Sequence, residues 1–251
     1  MRETDFVGGF AKGLKVIEAF GEAQPRLTIS EVARATGLDR ATARRCLLTL
    51  SELGYAHFDG KFFELTPRIL RLGHAYLSAT PLPRLVQPHL DRLSEAVGQS
   101  ASASVLDGTD IVYVARAAQK RIMSISLVPG SRLPAYCASM GRVLLASLPE
   151  TEARARIMAS DRKANTEYTR TDPDELMAEL ARVRSQGFAV IDQELEIGLR
   201  SIAVPLENAS GRVVAALNIG APAAAVPAEE MTSHFLPAMR EVQAALRSLL
   251  Q

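Results

Sequence analysis

Cysteine, tryptophan and long apolar runs are scarce in this chain, and each scarcity excludes a class of protein. Two cysteines, Cys46 and Cys137, and no tryptophan occur in 251 residues. Neither cysteine belongs to a Cys-x-x-Cys pair, so a disulfide scaffold or a zinc cluster is not expected. The amino terminus carries acids and no apolar core, unlike a signal peptide, and no apolar run reaches the roughly 18 residues that span a bilayer. We therefore expect a protein of the reducing cytoplasm with no membrane partner.

A strong overall charge is also lacking. The formal net charge is +1, with 29 Lys and Arg against 28 Asp and Glu. Hydrophobic residues make up 47% of the chain, an ordinary value for a globular protein, and the length suffices for two domains. A local excess remains between Arg26 and Arg45, where five arginines outnumber two acids and give a charge of +3. A compact basic patch of this kind suits contact with DNA.

Residues 26–65 carry, in order, the signals of a winged helix-turn-helix. Thr28 and Glu31 form a capping box that predicts the start of a helix, and Gly37 can adopt the left-handed conformation that ends it. Asp39 can cap a second helix. Two short strand-like runs around an Asp-Gly dipeptide then predict a tight hairpin, the wing.

Arginines lie on the side of the second helix away from its apolar stripe of Ala43, Leu47 and Leu50. A guanidinium can bind guanine O6 and N7 with two hydrogen bonds, or hold a phosphate. The alternative is that these arginines are only the solvated face of an amphipathic helix; the agreement of the preceding helix, turn and hairpin favours DNA contact. The predicted DNA-binding residues are Arg40, Thr42, Arg44 and Arg45.

The domain boundaries are predicted from proline positions. Pro67 begins a connector helix, and Pro81 and Pro83 interrupt the chain after it. We expect a winged helix-turn-helix domain over residues 1–66, a linker helix over 67–82 and a second domain over 83–251. A first helix is expected over residues 9–20, with its apolar stripe packed behind the two helices of the DNA-binding unit. The linker helix also carries an apolar stripe, which needs a partner that a second subunit would supply. The stripe residues are Phe10, Leu14 and Ile17 in the first helix and Ile69, Leu72 and Tyr76 in the linker.

The second domain alternates hairpins with helices, which predicts an α+β fold with an antiparallel sheet flanked by helices. In the strand 213–219, alternation places Ala216, Asn218 and Gly220 on one face, and small residues with one amide make a good cavity wall. Solvent exposure of that face is the alternative. The other expected strands are 101–106, 111–115, 122–127, 188–191 and 201–206, and the expected helices are 84–97, 139–147, 150–158, 172–186 and 228–250.

Three segments together resemble the IclR family of bacterial transcription regulators over nearly the whole chain. They are Gly37–Leu47 followed by Leu53-Gly54-Tyr55, Gly130–Pro134 through Ser139–Ala146, and Asp192–Pro205. The resemblance implies a winged helix, a GAF-like effector domain, and homodimers, sometimes paired as dimers of dimers, on double-stranded palindromic operator DNA. We expect no cofactor, no metal site and no catalytic residue.

The resemblance also implies an effector site. Carried over from the family, the effector-binding residues are Ser139, Met140, Asp192, Ser201 and Asn218. Some members have Cys at Ser201 and Ser at Asn218 and Gly220, so the effector here is expected to differ from those members' small keto acids. The stretches 122–127 and 136–142 resemble the subgroup that governs aromatic-acid breakdown through the β-ketoadipate pathway. That implies protocatechuate, 4-hydroxybenzoate or β-ketoadipate as a small organic-acid effector.

Several alternatives stay open at this point. Arg142 and Arg200 could pair with an effector carboxylate or be structural charges. The acidic loop that begins at Asp192 could ligate a metal or act as an acid and base, although such loops are more often solvated turns. An enzyme could use Cys137 as a nucleophile with His89 or His234 as base, but the spacing supports no triad. A regulator that responds to a different small organic acid, or a protein-interaction module, would also fit the pattern.

Overall fold

The computed structural model describes residues 5–21, 24–119 and 127–250, without the side chain of Leu77. The chain divides into two compact units, Met1–Thr80 and Pro81–Gln251. In the described part of the chain, no helix combines the length and apolarity needed to cross a membrane.

The first unit is a helix-turn-helix followed by a small sheet. Its three short strands pair antiparallel in the order β1-β3-β2. Strand β1, which the sequence did not predict, forms because Arg26 and Leu27 pair with Glu64 and Phe63. The elements are α1 (Gly8–Glu18), β1 (Arg26–Leu27), α2 (Ile29–Thr36), α3 (Arg40–Glu52), β2 (Ala56–Phe58), β3 (Phe63–Leu65), a 3₁₀ turn (Pro67–Ile69) and α4 (Leu70–Ala79).

The local signals in this unit are confirmed. Thr28 and Glu31 form the reciprocal capping box at the start of α2, and Gly37 ends that helix with φ of 68°. The Asp39 carboxylate accepts a hydrogen bond from the Thr42 backbone N–H at 2.8 Å, which caps α3. Short-range hydrogen bonds therefore stabilise the ends of the turn that connects α2 to α3.

The core of the first unit corrects one expectation. Val16, not the predicted stripe, is the side chain of α1 that is fully buried, against Val32, Leu47 and other residues of α2, α3 and the sheet. Phe10 and Leu14 are 69% and 41% exposed. The apolar stripe of α1 is thus rotated away from the unit's own core, and only Ile17 of the predicted three packs against it. In α4, Leu72 and Tyr76 are exposed as well.

The second unit is built on a six-stranded antiparallel sheet in the order β6-β5-β4-β9-β8-β7. This confirms the predicted α+β fold with helices flanking an antiparallel sheet. The elements are α5 (Leu82–Val97), β4 (Ser100–Asp107), β5 (Asp110–Ala117), β6 (Arg132–Pro134), a 3₁₀ turn (Ala135–Cys137), α6 (Ser139–Ala146), α7 (Glu150–Ala159), α8 (Pro173–Gln186), β7 (Ala189–Asp192), β8 (Leu199–Glu207), β9 (Val213–Pro222), α9 (Ala228–Glu230), a π-helical turn (Met231–Phe235) and α10 (Leu236–Arg247).

Two apolar cores lie on opposite faces of this sheet. Helices α5 and α10 cover one face, where Leu90, Leu217 and Met239 are buried together. Helices α6, α7 and α8 cover the other, where Met140 and Leu180 are buried. The cavity face predicted for β9 is therefore turned toward α6 and not toward solvent.

Two segments of the second unit differ from the sequence-based expectation, and a third lies mostly outside the described residues. The predicted strand 122–127 falls almost entirely outside the described residues. The segment Arg132–Pro134, which is not among the predicted strands, pairs with β5 as strand β6. The predicted helix 228–250 is interrupted, because the turn Met231–Phe235 is π-helical before α10 begins.

Candidate functional site

Helix α3 presents three arginines to solvent. Arg40, Arg44 and Arg45 are all exposed, while Ala43 and Leu47 on the opposite side are buried in the unit's core. Within the described residues, no carboxylate lies within salt-bridge distance of these three guanidinium groups. Their charge is thus available to a ligand.

Thr42 occupies a different position from the arginines. It is only 7% exposed, and its hydroxyl lies 3.5 Å from Arg45 Nη2. Hydrogen bonds from the Thr42 side chain and backbone lower the pKa of Asp39, the capping residue of α3. The structure therefore places Thr42 where it organises the start of the helix.

The wing and the adjacent strand β1 carry basic residues whose charge is partly neutralised. Arg26 forms ion pairs with Asp59 and, at 3.7 Å, with Glu64. Lys61 and Arg26 each stack over the Phe62 ring at 5.0 Å. The wing thus offers less free positive charge than α3.

A cavity between the sheet and α6 is lined by four of the five predicted effector residues. Ser139 and Met140 come from α6, Ser201 from β8 and Asn218 from β9. The Ser201 hydroxyl donates to the Ser139 hydroxyl at 2.9 Å, which joins β8 to the start of α6. The remaining lining residues are mostly apolar: Ser100, Ile111, Tyr113, Arg116, Leu127, Leu133, Cys137, Ala138, Ile191, Leu195, Leu199 and Gly220.

Asp192, the fifth predicted residue, is not among those lining the cavity. Its carboxylate forms a two-pronged ion pair with Arg200, with both distances 2.9 Å. Arg200 also donates to the backbone carbonyls of Ala223 and Val226. The ion pair joins β7 to β8, and Arg200 also joins β8 to the chain that follows β9. Each of the two side chains neutralises the charge of the other.

Arg116 is a cavity residue that the sequence analysis missed. Strand β4 pairs Ser102 with Arg116, Ala103 with Ala115 and then Ser104 with Tyr113, so Val114 is an extra residue in β5. Without this bulge, strand alternation would put Arg116 and Tyr113 on opposite faces. With it, both line the cavity, and Arg116 Nη1 donates to the Ser102 hydroxyl at 2.9 Å.

The cavity is positively charged at one point and otherwise neutral. Among the described lining residues Arg116 is the only charged side chain, and no described carboxylate forms a salt bridge with it. Burial raises the pKa of Tyr113 to about 12, so that hydroxyl stays protonated. The Asn218 Oδ1 is buried without a hydrogen-bond partner. A buried acceptor in this state favours a ligand or water that donates to it.

The cavity walls stand close together. The cavity volume is about 30 Å³. For comparison, an engineered protein cavity that binds benzene measures about 150 Å³. A ligand with an aromatic ring therefore fits only when the walls move apart.

Arg142 does not line the cavity but lies directly behind it. It is 1% exposed, and its Nη2 donates to Glu194 at 2.6 Å while its Nε donates to the Tyr136 carbonyl at 3.0 Å. Glu179 lies 3.9 Å away and pairs mainly with Arg170 and Arg182. Arg142 is thus committed to carboxylates of its own chain.

Cys137 does not have the surroundings of a nucleophile. Burial raises the pKa of its thiol to about 11, which leaves little thiolate at neutral pH. Its sulfur contacts the Pro134 carbonyl at 3.7 Å and the Asn165 amide at 3.5 Å. In the part of the chain that is described, no cluster of three His, Cys, Asp or Glu side chains could hold a metal ion.

Family models match both units of the chain. The IclR helix-turn-helix domain matches residues 10–60, and the bacterial transcriptional regulator IclR C-terminal domain matches residues 74–247. The Pca regulon regulatory protein of Pseudomonas putida is 49% identical to this chain over 94% of it and 81% of the relative. The p-hydroxybenzoate hydroxylase transcriptional activator of Acinetobacter baylyi is 37% identical over 100% of this chain and 94% of the relative.

Solved structures of transcription regulators are also similar to this chain. An IclR homologue from Microbacterium hydrocarbonoxydans, complexed with 4-hydroxybenzoate, is 25% identical with a TM-score of 0.76, covering 96% of this chain and 99% of that one. The PobR inducer-binding domain from Acinetobacter, a double mutant with 3-hydroxybenzoic acid, is 32% identical with a TM-score of 0.64, covering 67% of this chain and 98% of that one. The relatives are transcription regulators, which removes the enzyme alternative. Because family models match both units and relatives of this family align with nearly the whole chain, this chain is a member of the IclR family of bacterial transcription regulators.

Proposed function

We propose that this protein regulates genes of aromatic-acid breakdown and that its effector is an aromatic hydroxy acid or a product of its ring cleavage. Candidates are 4-hydroxybenzoate, protocatechuate and β-ketoadipate, each of which carries a carboxylate. The observation that supports this most directly is Arg116, an unneutralised guanidinium in a mostly apolar cavity. The identity of 49% with a Pca regulon regulator supports the same pathway.

In this proposal the effector carboxylate binds Arg116, which donates a hydrogen bond to the Ser102 hydroxyl and is positioned by it. Charge-assisted hydrogen bonds of this type are short and strong, and the apolar walls strengthen them by excluding water. Ser139, Met140, Ser201 and Asn218 contact the rest of the effector. Asp192 acts at a distance, through its ion pair with Arg200, by holding β7 against β8.

On the DNA side, Arg40, Arg44 and Arg45 bind base edges or phosphates of an operator, while Thr42 supports the helix that carries them. The protein works as a homodimer, or as a dimer of dimers, because two recognition helices are needed to read a palindromic site. The exposed apolar side chains Phe10 and Leu14 of α1 and Leu72 and Tyr76 of α4 are candidates for covering by a second copy.

The regulation is a free-energy coupling between the two sites. The effector binds one arrangement of the second domain better, and the linker, residues 67–82, passes that preference to the spacing of the recognition helices. Coupling of this kind amounts to about 1–3 kcal/mol and must be reciprocal. The linker therefore couples effector binding by the domain 83–251 to DNA binding by the domain 1–66.

The test is a thermal-shift screen with aromatic and keto acids, followed by titration of the ligand that raises the melting temperature most. A ligand selective for the folded protein must raise its stability. The effector dissociation constant is then measured with and without operator DNA. Equal values would contradict the coupling, and the absence of any shift with aromatic acids would contradict the effector class, leaving a different small organic acid as the alternative.

A further inference from the structure

Two walls of the effector cavity are connected behind the cavity by one buried guanidinium. One wall is the segment Cys137–Met140, and it follows directly after Tyr136, whose carbonyl accepts a hydrogen bond from Arg142 Nε. The other wall includes Leu195, which follows directly after Glu194, whose carboxylate accepts from Arg142 Nη2. Arg142 thus contacts the residue next to each wall without lining the cavity itself.

The loop that carries Glu194 is held from its other side as well. Thr169 and Thr166 donate their hydroxyls to the Glu194 and Gln193 carbonyls at 2.6 and 2.7 Å, and the Arg170 backbone N–H donates to the Glu194 carboxylate at 3.0 Å. Gln193 has φ of 59°, the only left-handed backbone of a non-glycine residue in the described chain. Such a conformation persists where the surroundings hold it.

The bond to Arg142 differs from the other contacts of this loop because it crosses from the loop to α6. Both partners are almost fully buried, so water neither screens the pair nor replaces it when it breaks. The space between the walls is too small for an aromatic ring unless they separate. The pair that joins the walls therefore opposes the movement that a ring requires.

We propose that the Arg142–Glu194 pair sets the separation of these two cavity walls and thereby the size of aromatic acid that the cavity accepts, so that both are positioning residues for effector recognition. This inference rests on the proposed effector site. Neither side chain touches the effector. Arg142 acts through its hydrogen bond to the Tyr136 carbonyl, and Glu194 acts through the backbone that continues into Leu195.

The test compares Glu194→Gln with Glu179→Gln. Both variants remove one buried carboxylate from the same group of arginines and keep the side-chain size. Glu179 lies on α8 and, unlike Glu194, is not adjacent to a lining residue. Glu179→Gln is therefore the control for a purely structural loss, and both melting temperatures are measured.

Two readouts are needed. Calorimetry gives the dissociation constants of benzoate, 4-hydroxybenzoate and protocatechuate. Hydrogen exchange gives the protection of the backbone amides from Gln193 to Leu199 without ligand. For Glu194→Gln we expect the preference of the wild-type protein among the three ligands to fall about tenfold, a size typical of coupled sites, and the loop amides to exchange faster. For Glu179→Gln we expect both to stay as in the wild type.

Each result has a distinct meaning. Unchanged ligand preference in Glu194→Gln overturns the proposal, whether or not the loop exchanges faster, because the pair would then be structural only. Equal changes in both variants overturn it too. If the wild type binds none of the three acids, the proposed function fails, and the exchange of the loop amides still shows whether the pair holds this wall. Should Glu194→Gln not fold, Arg142→Lys keeps the charge, shortens the reach and is judged by the same readouts.

Discussion

Arginines on helix α3 and arginines around the cavity of the second unit have opposite surroundings. On α3, three arginines are exposed and, among the described residues, have no carboxylate within ion-pairing distance. In the second unit, Arg142 and Arg200 are buried and paired with Glu194 and Asp192. The difference shows that the presence of an arginine says little about binding, whereas an arginine whose charge is not neutralised marks a surface that can take an anion.

Arg116 is the instructive exception in the second unit. Like the arginines of α3, it has no described carboxylate partner, but it lies inside a cavity and not on a convex surface. Both units therefore contain guanidinium groups without a described carboxylate partner, on an exposed helix in the first unit and inside a cavity in the second. The exposed helix can bind along an extended polyanion, and the cavity can bind one small anion.

The largest expected effect compares how much an added methyl group on a helical glycine destabilises the second unit and the first unit. Gly141 lies in α6 between Met140 and Arg142, and a Cβ there would overlap the Ala135 backbone. Gly141→Ala should therefore destabilise the second unit by about 3 kcal/mol, the upper part of the range for overpacking. Gly73→Ala is the control, because α4 has open space at that position. Calorimetric melting that shows equal stability for both variants would contradict the crowding at α6.

The next effect concerns the arginine in the cavity. Arg116→Gln should weaken binding of 4-hydroxybenzoate by about 2 kcal/mol, roughly 30-fold, because a hydrogen bond to a charged group is lost. The uncharged 4-hydroxybenzamide should bind wild type and variant alike. Arg132→Gln on the neighbouring strand removes an arginine already paired with Asp107 and Asp110, and it should leave affinity unchanged. An equal loss with the amide and the acid would show that Arg116 does not recognise the carboxylate.

A somewhat smaller effect is expected at the recognition helix. Arg44→Ala should reduce operator affinity about tenfold, within the range for one guanine or phosphate contact, and leave the oligomeric state unchanged. Arg154→Ala, which removes an exposed arginine paired with Asp174, is the control. Electrophoretic mobility shifts over a range of salt concentrations distinguish the two contacts, since loss of a phosphate contact flattens the salt dependence. Unchanged DNA affinity would count against α3 as the recognition helix.

The smallest effect concerns the stability of the first unit in acid. Hydrogen bonds from Thr28 lower the pKa of Glu31 below its ordinary 4.5, and hydrogen bonds from Thr42 lower that of Asp39 below 3.8. A lowered folded-state pKa gives stability that is present above the unfolded value and is lost as the pH falls through the folded one. The melting temperature of the first unit should therefore decline below about pH 4. The double variant Glu31→Gln, Asp39→Asn should show a flatter decline, and parallel curves would contradict this assignment.

Much of the first unit could be predicted because its signals are local. The capping box at Thr28, the turn at Gly37 and the cap at Asp39 each depend on residues a few positions apart. The orientation of α1 could not be predicted, because Phe10 and Leu14 form as regular a stripe as a core-facing helix would have. Only the packing of Val16 against α2 and α3 shows which side faces inward.

The cavity was predictable in part. Asn218 followed from strand alternation in β9, and Ser139, Met140 and Ser201 followed from the family resemblance. Arg116 could not be found in this way, because alternation from Tyr113 assigns it to the wrong face. Asp192 was assigned to the effector by resemblance, but the structure places its carboxylate on Arg200, a contact that no sequence pattern reveals.

The extra residue in β5 has a consequence for how relatives of this protein diverge. Deleting Val114 would leave Arg116 opposite Ser102 and on the cavity face, whereas regular pairing with Val114 retained would turn Arg116 to the other face of the sheet. Two relatives with an arginine at the same aligned position would therefore differ in the charge of their cavities if only one of them has the bulge. In this architecture the charge of the cavity depends on strand pairing as much as on residue identity.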